Sequence, residues 1–297
     1  MDTLNTAFRD HIKNAMSLSK APAVVTEENV YQEGAEDILP YLDKMVEVLL
    51  LPGSGVDGLE HLEELYAKAE SGKSCLLLPE HYSNMDLSLF SYLVRNAGGR
   101  GEEIGRSVIA IAGMKLTEES RVVSAFASAY TRIVIYPSRS LQGIEGEKRE
   151  TEKARSNAIN HAAMKALKNV KNSGRMILIF PSGTRYRPGD PSTKKGVREI
   201  DSYIRSFDYM CFVSINGEVL HIKHGDMMDD AVSEDVVRIG VGPVFSCAEF
   251  REKTLAKIDS SVALNRSDMK QAVADSIMEE LERMHTEGEK KRAQYLK

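Results

Sequence analysis

The sequence predicts an α/β architecture: a mainly parallel central sheet covered by helices on both faces, with a small helical N-terminal domain. Three observations predict it. From Ser71 onward, short apolar runs alternate with long amphipathic segments, as strands joined by helical crossovers do. The runs are β-branched or Leu-rich and end on Pro, Gly or polar residues. Before Cys75 no strand pattern appears, and apolar residues recur at helical spacing.

Taken in order, Phe8, Ile12, Met16 and Leu18 mark a first helix, and Ile38, Leu42, Met45, Val46 and Leu49 a second. Leu59, Leu62, Leu65 and Tyr66 mark a third. Ala21-Pro22 and the LPGSG stretch at 51–55 separate them. Residues 1–70 therefore read as the helical N-terminal domain and 71–297 as the α/β domain. Strands are expected at CLLLP (75–79), SVIAIAG (107–113), RIVIYP (132–137), RMILIFP (175–181) and MCFVSI (210–215), with a further one within 236–244. Helices are expected near 85–97, 117–130, 150–172, 194–207 and 264–285, followed by a charged, frayed tail. In such sheets ligands bind at the carboxyl ends of the strands, which directs attention to the strand exits.

Composition narrows the partners. A chain of 297 residues with 42% apolar and 28% charged residues buries a sizeable core. A net charge of −5 and the absence of Trp argue against nucleic acid. Cys75, Cys211 and Cys247 are odd in number, far apart and set in apolar runs, so they read as buried thiols of a reducing compartment. The N-terminus lacks a signal-type apolar stretch, and no window reaches the roughly 18–20 apolar residues of a membrane span. The expected location is cytoplasmic, or a comparable compartment such as a plastid stroma, with any membrane contact peripheral.

Two motifs are decoys. Gly72-Lys73-Ser74 resembles the end of a phosphate loop, but Ala67 stands where its first glycine belongs, and the motif precedes a strand rather than following one. His221, His224 and Asp226 suggest zinc, yet no third ligand group stands at a telling spacing, so no metal is expected.

The chemistry concentrates after three strands. LLLPEHYSNMDLSLF (76–90) delivers His81 to the exit of the first strand and Asp86 to the first turn of the next helix. Ser83 and Asp86 fit a variant capping box, which alone is a structural role. The same geometry turns the carboxylate back toward His81, and a His oriented by an Asp is a general base. After RMILIF, Pro181-Ser182-Gly183-Thr184-Arg185-Tyr186-Arg187 offers a turn with backbone N–H groups and two arginines. Arg185 and Arg187 alternate, so in an extended segment they share one side and suit a phosphate or carboxylate. Arg132 opens the third strand and Arg139 lies just beyond its end. Basic residues in 148–175 read as a solvated helix face, with attraction of an acidic donor as the functional alternative.

These residues resemble the glycerophospholipid acyltransferases. That family's blocks are His-x4-Asp, here His81 to Asp86, and Phe-Pro-(Glu/Ser)-Gly-(Thr/Gly)-Arg, here Phe180 to Arg185. The resemblance spans about 75–215. Pro-Ser-Gly-Thr-Arg-Tyr-Arg-Pro looks closest to the soluble plastid-type glycerol-3-phosphate acyltransferases, which also carry a helical N-terminal domain. Those enzymes have a Lys-His pair where this chain has Ser138-Arg139-Ser140-Leu141, so Arg139 replaces the lysine and the histidine is missing. The resemblance implies transfer of a fatty acyl group from acyl-carrier protein or coenzyme A to the sn-1 hydroxyl of glycerol 3-phosphate, without a cofactor. His81 and Asp86 would be the catalytic pair, and Arg132, Arg139, Arg185 and Arg187 would clamp the phosphate. The turn at Ser182, Gly183 and Thr184 would supply oxyanion donors. The alternatives are a 1-acylglycerol-3-phosphate acyltransferase and a non-catalytic phosphate- or lipid-binding module.

Overall fold

The computed structural model describes residues 1–296 apart from 119, 142, 224–226 and 259–264. The first part of the chain forms α1 (Leu4–Leu18), β1 (Tyr31–Gln32), α2 (Leu39–Leu49), β2 (Gly55–Asp57) and α3 (Leu59–Glu70). Then come β3 (Cys75–Pro79), α4 (Asp86–Arg95), α5 (Gly101–Ser107), β4 (Val108–Gly113), α6 (Lys115–Glu118), α7 (Arg121–Ala127) and β5 (Arg132–Ile135). Next are α8 (Gly146–Val170), β6 (Met176–Leu178), α9 (Ile200–Ile204) and β7 (Tyr209–Asn216). The chain closes with β8 (Leu220–His221), β9 (Ala231–Val232), β10 (Arg238–Val241), β11 (Phe245–Ser246), α10 (Cys247–Ala256) and α11 (Arg266–Arg292).

Among the described residues, nine strands form one sheet in the order β1-β5-β4-β6-β3-β7-β10-β2, with β11 also paired to β7. The β5-β4-β6-β3-β7 centre is parallel throughout, as is the β10–β2 pair, while β1, β10 and β11 join antiparallel. The mainly parallel α/β sheet read from the sequence is therefore the observed one. Both faces are covered. In β3, Cys75 and Leu77 enter one buried cluster with Leu4, Leu42, Leu62 and Phe90. Leu76 and Leu78 enter the other with Ile159, Leu167, Ile277 and Leu281. A strand buried on both sides has no polar face, which is why CLLLP is uniformly apolar. Helices α1–α4 cover one face, and α8, α9 and α11 the other.

Several expectations change in detail. Two short strands do precede Cys75: β1 pairs with β5 and β2 with β10. At two and three residues they are too short to show a period. The helix expected at 117–130 is split into α6 and α7, and that at 194–207 shrinks to α9 behind a 3₁₀ turn at Pro191–Lys194. Met16, placed on the apolar stripe of the first helix, is exposed. The tail from Glu287 is not frayed throughout, because α11 continues to Arg292. Arg292 forks onto Asp235 at 2.5 and 2.6 Å and donates to the Val236 carbonyl at 2.7 Å. Among the described residues, no helix is long and apolar enough to cross a membrane.

Candidate active site

His81 stands two residues beyond β3, the strand between β6 and β7, at the carboxyl end of the parallel sheet. Its imidazole stacks on Phe180, which leaves the neighbouring strand β6, with ring centroids 3.9 Å apart and planes 19° from parallel. Its carbonyl accepts the Tyr186 N–H at 2.8 Å, so the two strand-exit loops are tied together at the histidine itself.

Asp86 is 2% exposed and is surrounded by donors. Its Oδ2 accepts from His81 Nδ1 at 2.9 Å and from the Tyr82 N–H at 2.6 Å. The Ser83 N–H lies 3.0 and 2.9 Å from the two carboxylate oxygens, and the Ser83 hydroxyl donates to Oδ1 at 2.8 Å. The Ser83 hydroxyl in turn accepts the Met85 N–H at 3.1 Å. Only half of the expected capping box forms: Asp86 accepts the Ser83 N–H, but the Ser83 hydroxyl accepts from Met85 rather than Asp86, and the N-cap is Met85, so α4 begins at Asp86 itself rather than two residues earlier. A carboxylate in contact with Nδ1 fixes the proton there and leaves Nε2 with a lone pair. Nε2 has no protein partner among the described residues, and His81 lines a cavity of about 80 Å³. The dyad therefore has the geometry of an oriented base open to a substrate proton.

The cavity runs between α4, β4 and α7. Its walls are mostly apolar, with Leu87, Ala112, Leu116 and Phe126 among them, and Tyr130 and Arg132 also line it. The four arginines do not all face it. Arg132 is in the cavity, whereas Arg139, Arg185 and Arg187 are not. Arg139 is exposed in a 3₁₀ turn at Ser138–Leu141. Arg185 is half-buried on the loop beyond Phe180; burial lowers its pKa, with the charge of Arg187 acting in the same direction and those of Asp230 and Asp86 against it. Arg187 is exposed, and its backbone N–H is bound by the Thr193 hydroxyl at 2.9 Å.

In the Ser182–Thr184 turn, Ser182 Oγ donates to the Thr184 carbonyl at 2.7 Å. Gly183 has φ +62°, and a Cβ there would meet Val197 at 3.2 Å, so only glycine makes the turn without strain. Its N–H is bound to the Phe180 carbonyl at 3.0 Å, which removes that group from the expected oxyanion donors. The Thr184 and Arg185 N–H groups have no acceptor among the described residues.

Sequence reasoning missed a second cluster behind the dyad. Glu80 is buried and accepts from Tyr82 OH at 2.8 Å, from the Ile215 N–H at 2.9 Å and from His285 Nδ1 at 2.9 Å. Burial lowers the His285 pKa, but the hydrogen bond and charge of Glu80 outweigh it and the net shift is upward. A charged residue directly after a buried strand was the available signal for Glu80. His285 lies 205 residues away and gave none. The thiols of Cys75 and Cys247 are buried and pushed up to about 12 by that burial, which leaves neither a thiolate nucleophile. Of the zinc decoy, His221 instead meets Ser233 Oγ at 2.7 Å and Glu218 at 3.4 Å. His224 and Asp226 lie outside the described residues.

A family model, described as acyltransferase, matches residues 55–225, more than half of the chain. The chain belongs to the acyltransferase family. The matched span opens at β2 and holds both the His81–Asp86 dyad and the Phe180–Arg187 loop. A search of curated proteins finds no match to this chain. Transfer of acyl groups is the chemistry that membership brings, and an oriented histidine base beside a cavity is compatible with it.

Proposed function

We propose that this acyltransferase moves a fatty acyl group from a thioester, acyl-carrier protein or acyl-coenzyme A, to the sn-1 hydroxyl of glycerol 3-phosphate. The observation that carries the reading is the His81–Asp86 contact of 2.9 Å, with the opposite ring nitrogen free beside a cavity. Asp86 holds the imidazole and stabilises its protonated form. His81 takes the hydroxyl proton as the alcohol oxygen attacks the thioester carbon. The tetrahedral intermediate collapses, the C–S bond breaks, and His81 returns the proton to the leaving thiolate. The substrate supplies the nucleophile in an otherwise triad-like scheme, so no enzyme serine or cysteine is needed.

The Thr184 and Arg185 N–H groups, without an acceptor among the described residues, are candidate donors for the developing oxyanion, and one such donor is worth about 3–4 kcal/mol. Arg132, which lines the cavity, supplies the cation for the acceptor phosphate that fixes the hydroxyl against His81, and Arg185 and Arg187 add positive charge from the loop outside it. The resemblance of residues 180–188 to the plastid-type block supports glycerol 3-phosphate as the acceptor. Exposed Lys148, Lys153, Lys165 and Lys168 on α8 suit an acidic carrier or the phosphates of coenzyme A.

The deciding experiment is thiol release from acyl-coenzyme A and from acyl-carrier protein, each with glycerol 3-phosphate or lysophosphatidate. Acceptor-dependent release with glycerol 3-phosphate is expected. Release only with lysophosphatidate would move the acceptor to the acylated glycerol. No release with any pair would leave a binding module.

A further inference from the structure

Arg132 is 2% exposed, and it heads the largest side chains that the fold buries. It opens β5, level with Ala110 of β4 and Gln32 of β1. Its Nε and Nη1 have no hydrogen-bond partner. Burial alone lowers its pKa, to about 10, and no carboxylate acts against it. The guanidinium thus stays charged at neutral pH inside the protein without a counter-charge. The Gln32 side-chain oxygen, also unpartnered, is neutral and does not supply one. Tyr130, two residues earlier, has its hydroxyl beside Ser88 but in no hydrogen bond of proper geometry. Burial pushes that phenol upward, so it remains a donor.

Two unsatisfied buried donors converging on one cavity are unusual, since buried polar groups normally find partners and buried charges are paired. The cavity of about 80 Å³ has room for roughly two or three waters, and water supplies no negative charge. The cavity also holds His81. We propose that Arg132 and Tyr130 form an anion-binding subsite in the cavity that His81 lines, and that it receives the phosphate, or an equivalent oxyanion, of the molecule whose hydroxyl His81 deprotonates. The inference rests on the proposed acyl transfer to a phosphorylated acceptor. It separates one arginine from the other three: Arg132 is the inner anchor, and Arg139, Arg185 and Arg187 stand outside the cavity. A guanidinium and a phenol suit a phosphate oxygen pair, and the small chamber favours an acceptor with little bulk between hydroxyl and anion.

The test uses the full chain with inorganic phosphate as the probe, read by calorimetry and by thermal shift. Arg132→Met keeps the volume and removes the charge. It is expected to weaken phosphate binding at least about tenfold while leaving the phosphate-free Tm unchanged or higher. Tyr130→Phe is expected to weaken binding several-fold, and Arg185→Gln less than Arg132→Met. In turnover, Arg132→Met raises the KM for glycerol 3-phosphate, and inorganic phosphate no longer competes with that acceptor as it does in the wild type. Undiminished phosphate binding in Arg132→Met overturns the subsite, and so does an unchanged KM for glycerol 3-phosphate or a lowered Tm. Absence of thiol release in the wild type, with phosphate binding still dependent on Arg132, supports the subsite and overturns the acyl-transfer reading instead.

Discussion

Asp86 illustrates how one side chain serves fold and chemistry together. It closes the first turn of α4 and, with the same oxygens, holds His81. An asparagine there matches the shape but presents one oxygen and an N–H₂ group to a ring of donors. Asp86→Asn is expected to lower thiol release about 10²–10⁴-fold and stability by about 1–3 kcal/mol, measured on one preparation by activity and denaturant melts. His81→Ala should lose activity over the same range while keeping a wild-type melt within about 1 kcal/mol, since His81 is not a structural donor to the core. Substantial turnover in His81→Ala would remove it as the base. This pair was legible because its residues are five apart and the capping grammar is local. The Ser182–Thr184 turn was legible only in part. That Gly183 bends the chain is written in its type, but that its N–H closes the turn on Phe180 depends on geometry no motif encodes.

The helix α11 runs seven residues beyond the end expected at 285. Its tail is charged, and charge ordinarily marks a solvated end. Here the charges have partners far off in sequence: Arg292 with Asp235, and Arg238 over the Tyr295 ring at 4.8 Å. The same helix carries His285 to Glu80. His285 faces Glu80 and Tyr82, with Glu289 adding to the upward shift and Lys194 opposing it. A histidine whose pKa is higher in the folded state contributes stability that is complete below its unfolded value of about 6.5 and lost as pH rises through the folded one. Thermal melts from pH 6 to pH 9 should therefore show a decline that His285→Gln abolishes. A parallel decline in the variant would assign the effect elsewhere. Strand runs were legible for the converse reason: a strand covered on both faces writes its burial into every residue, as CLLLP does.

The two faces of the sheet are covered by opposite ends of the chain. Helices α1–α3 seal the face holding Cys75, Leu77, Val213 and Ile239, and β1 and β2 extend the sheet's two ends. Each of those apolar side chains is worth about 1.5–3 kcal/mol of burial. Removing residues 1–70 is thus expected to give an insoluble or partly folded product that binds hydrophobic dyes. A truncated chain with a cooperative melt and full solubility would show that residues 71–297 fold alone. The parallel α/β order was legible from alternation, whereas the joining of the first seventy residues to the sheet was not, because a two-residue strand carries no period.

The tie between Glu80 and His285 has a consequence in time. A ribosome adds about 5–20 residues per second, and 205 residues separate the two partners. For roughly 10–40 seconds after Glu80 is made, the carboxylate next to His81 lacks its His285 partner. The nascent chain can set His81 against Asp86 early, but the loop they share gains its second anchor only when α11 arrives. The loop that holds His81 and Asp86 is thus complete only once α11 has been made, an order that comes from chain connectivity alone.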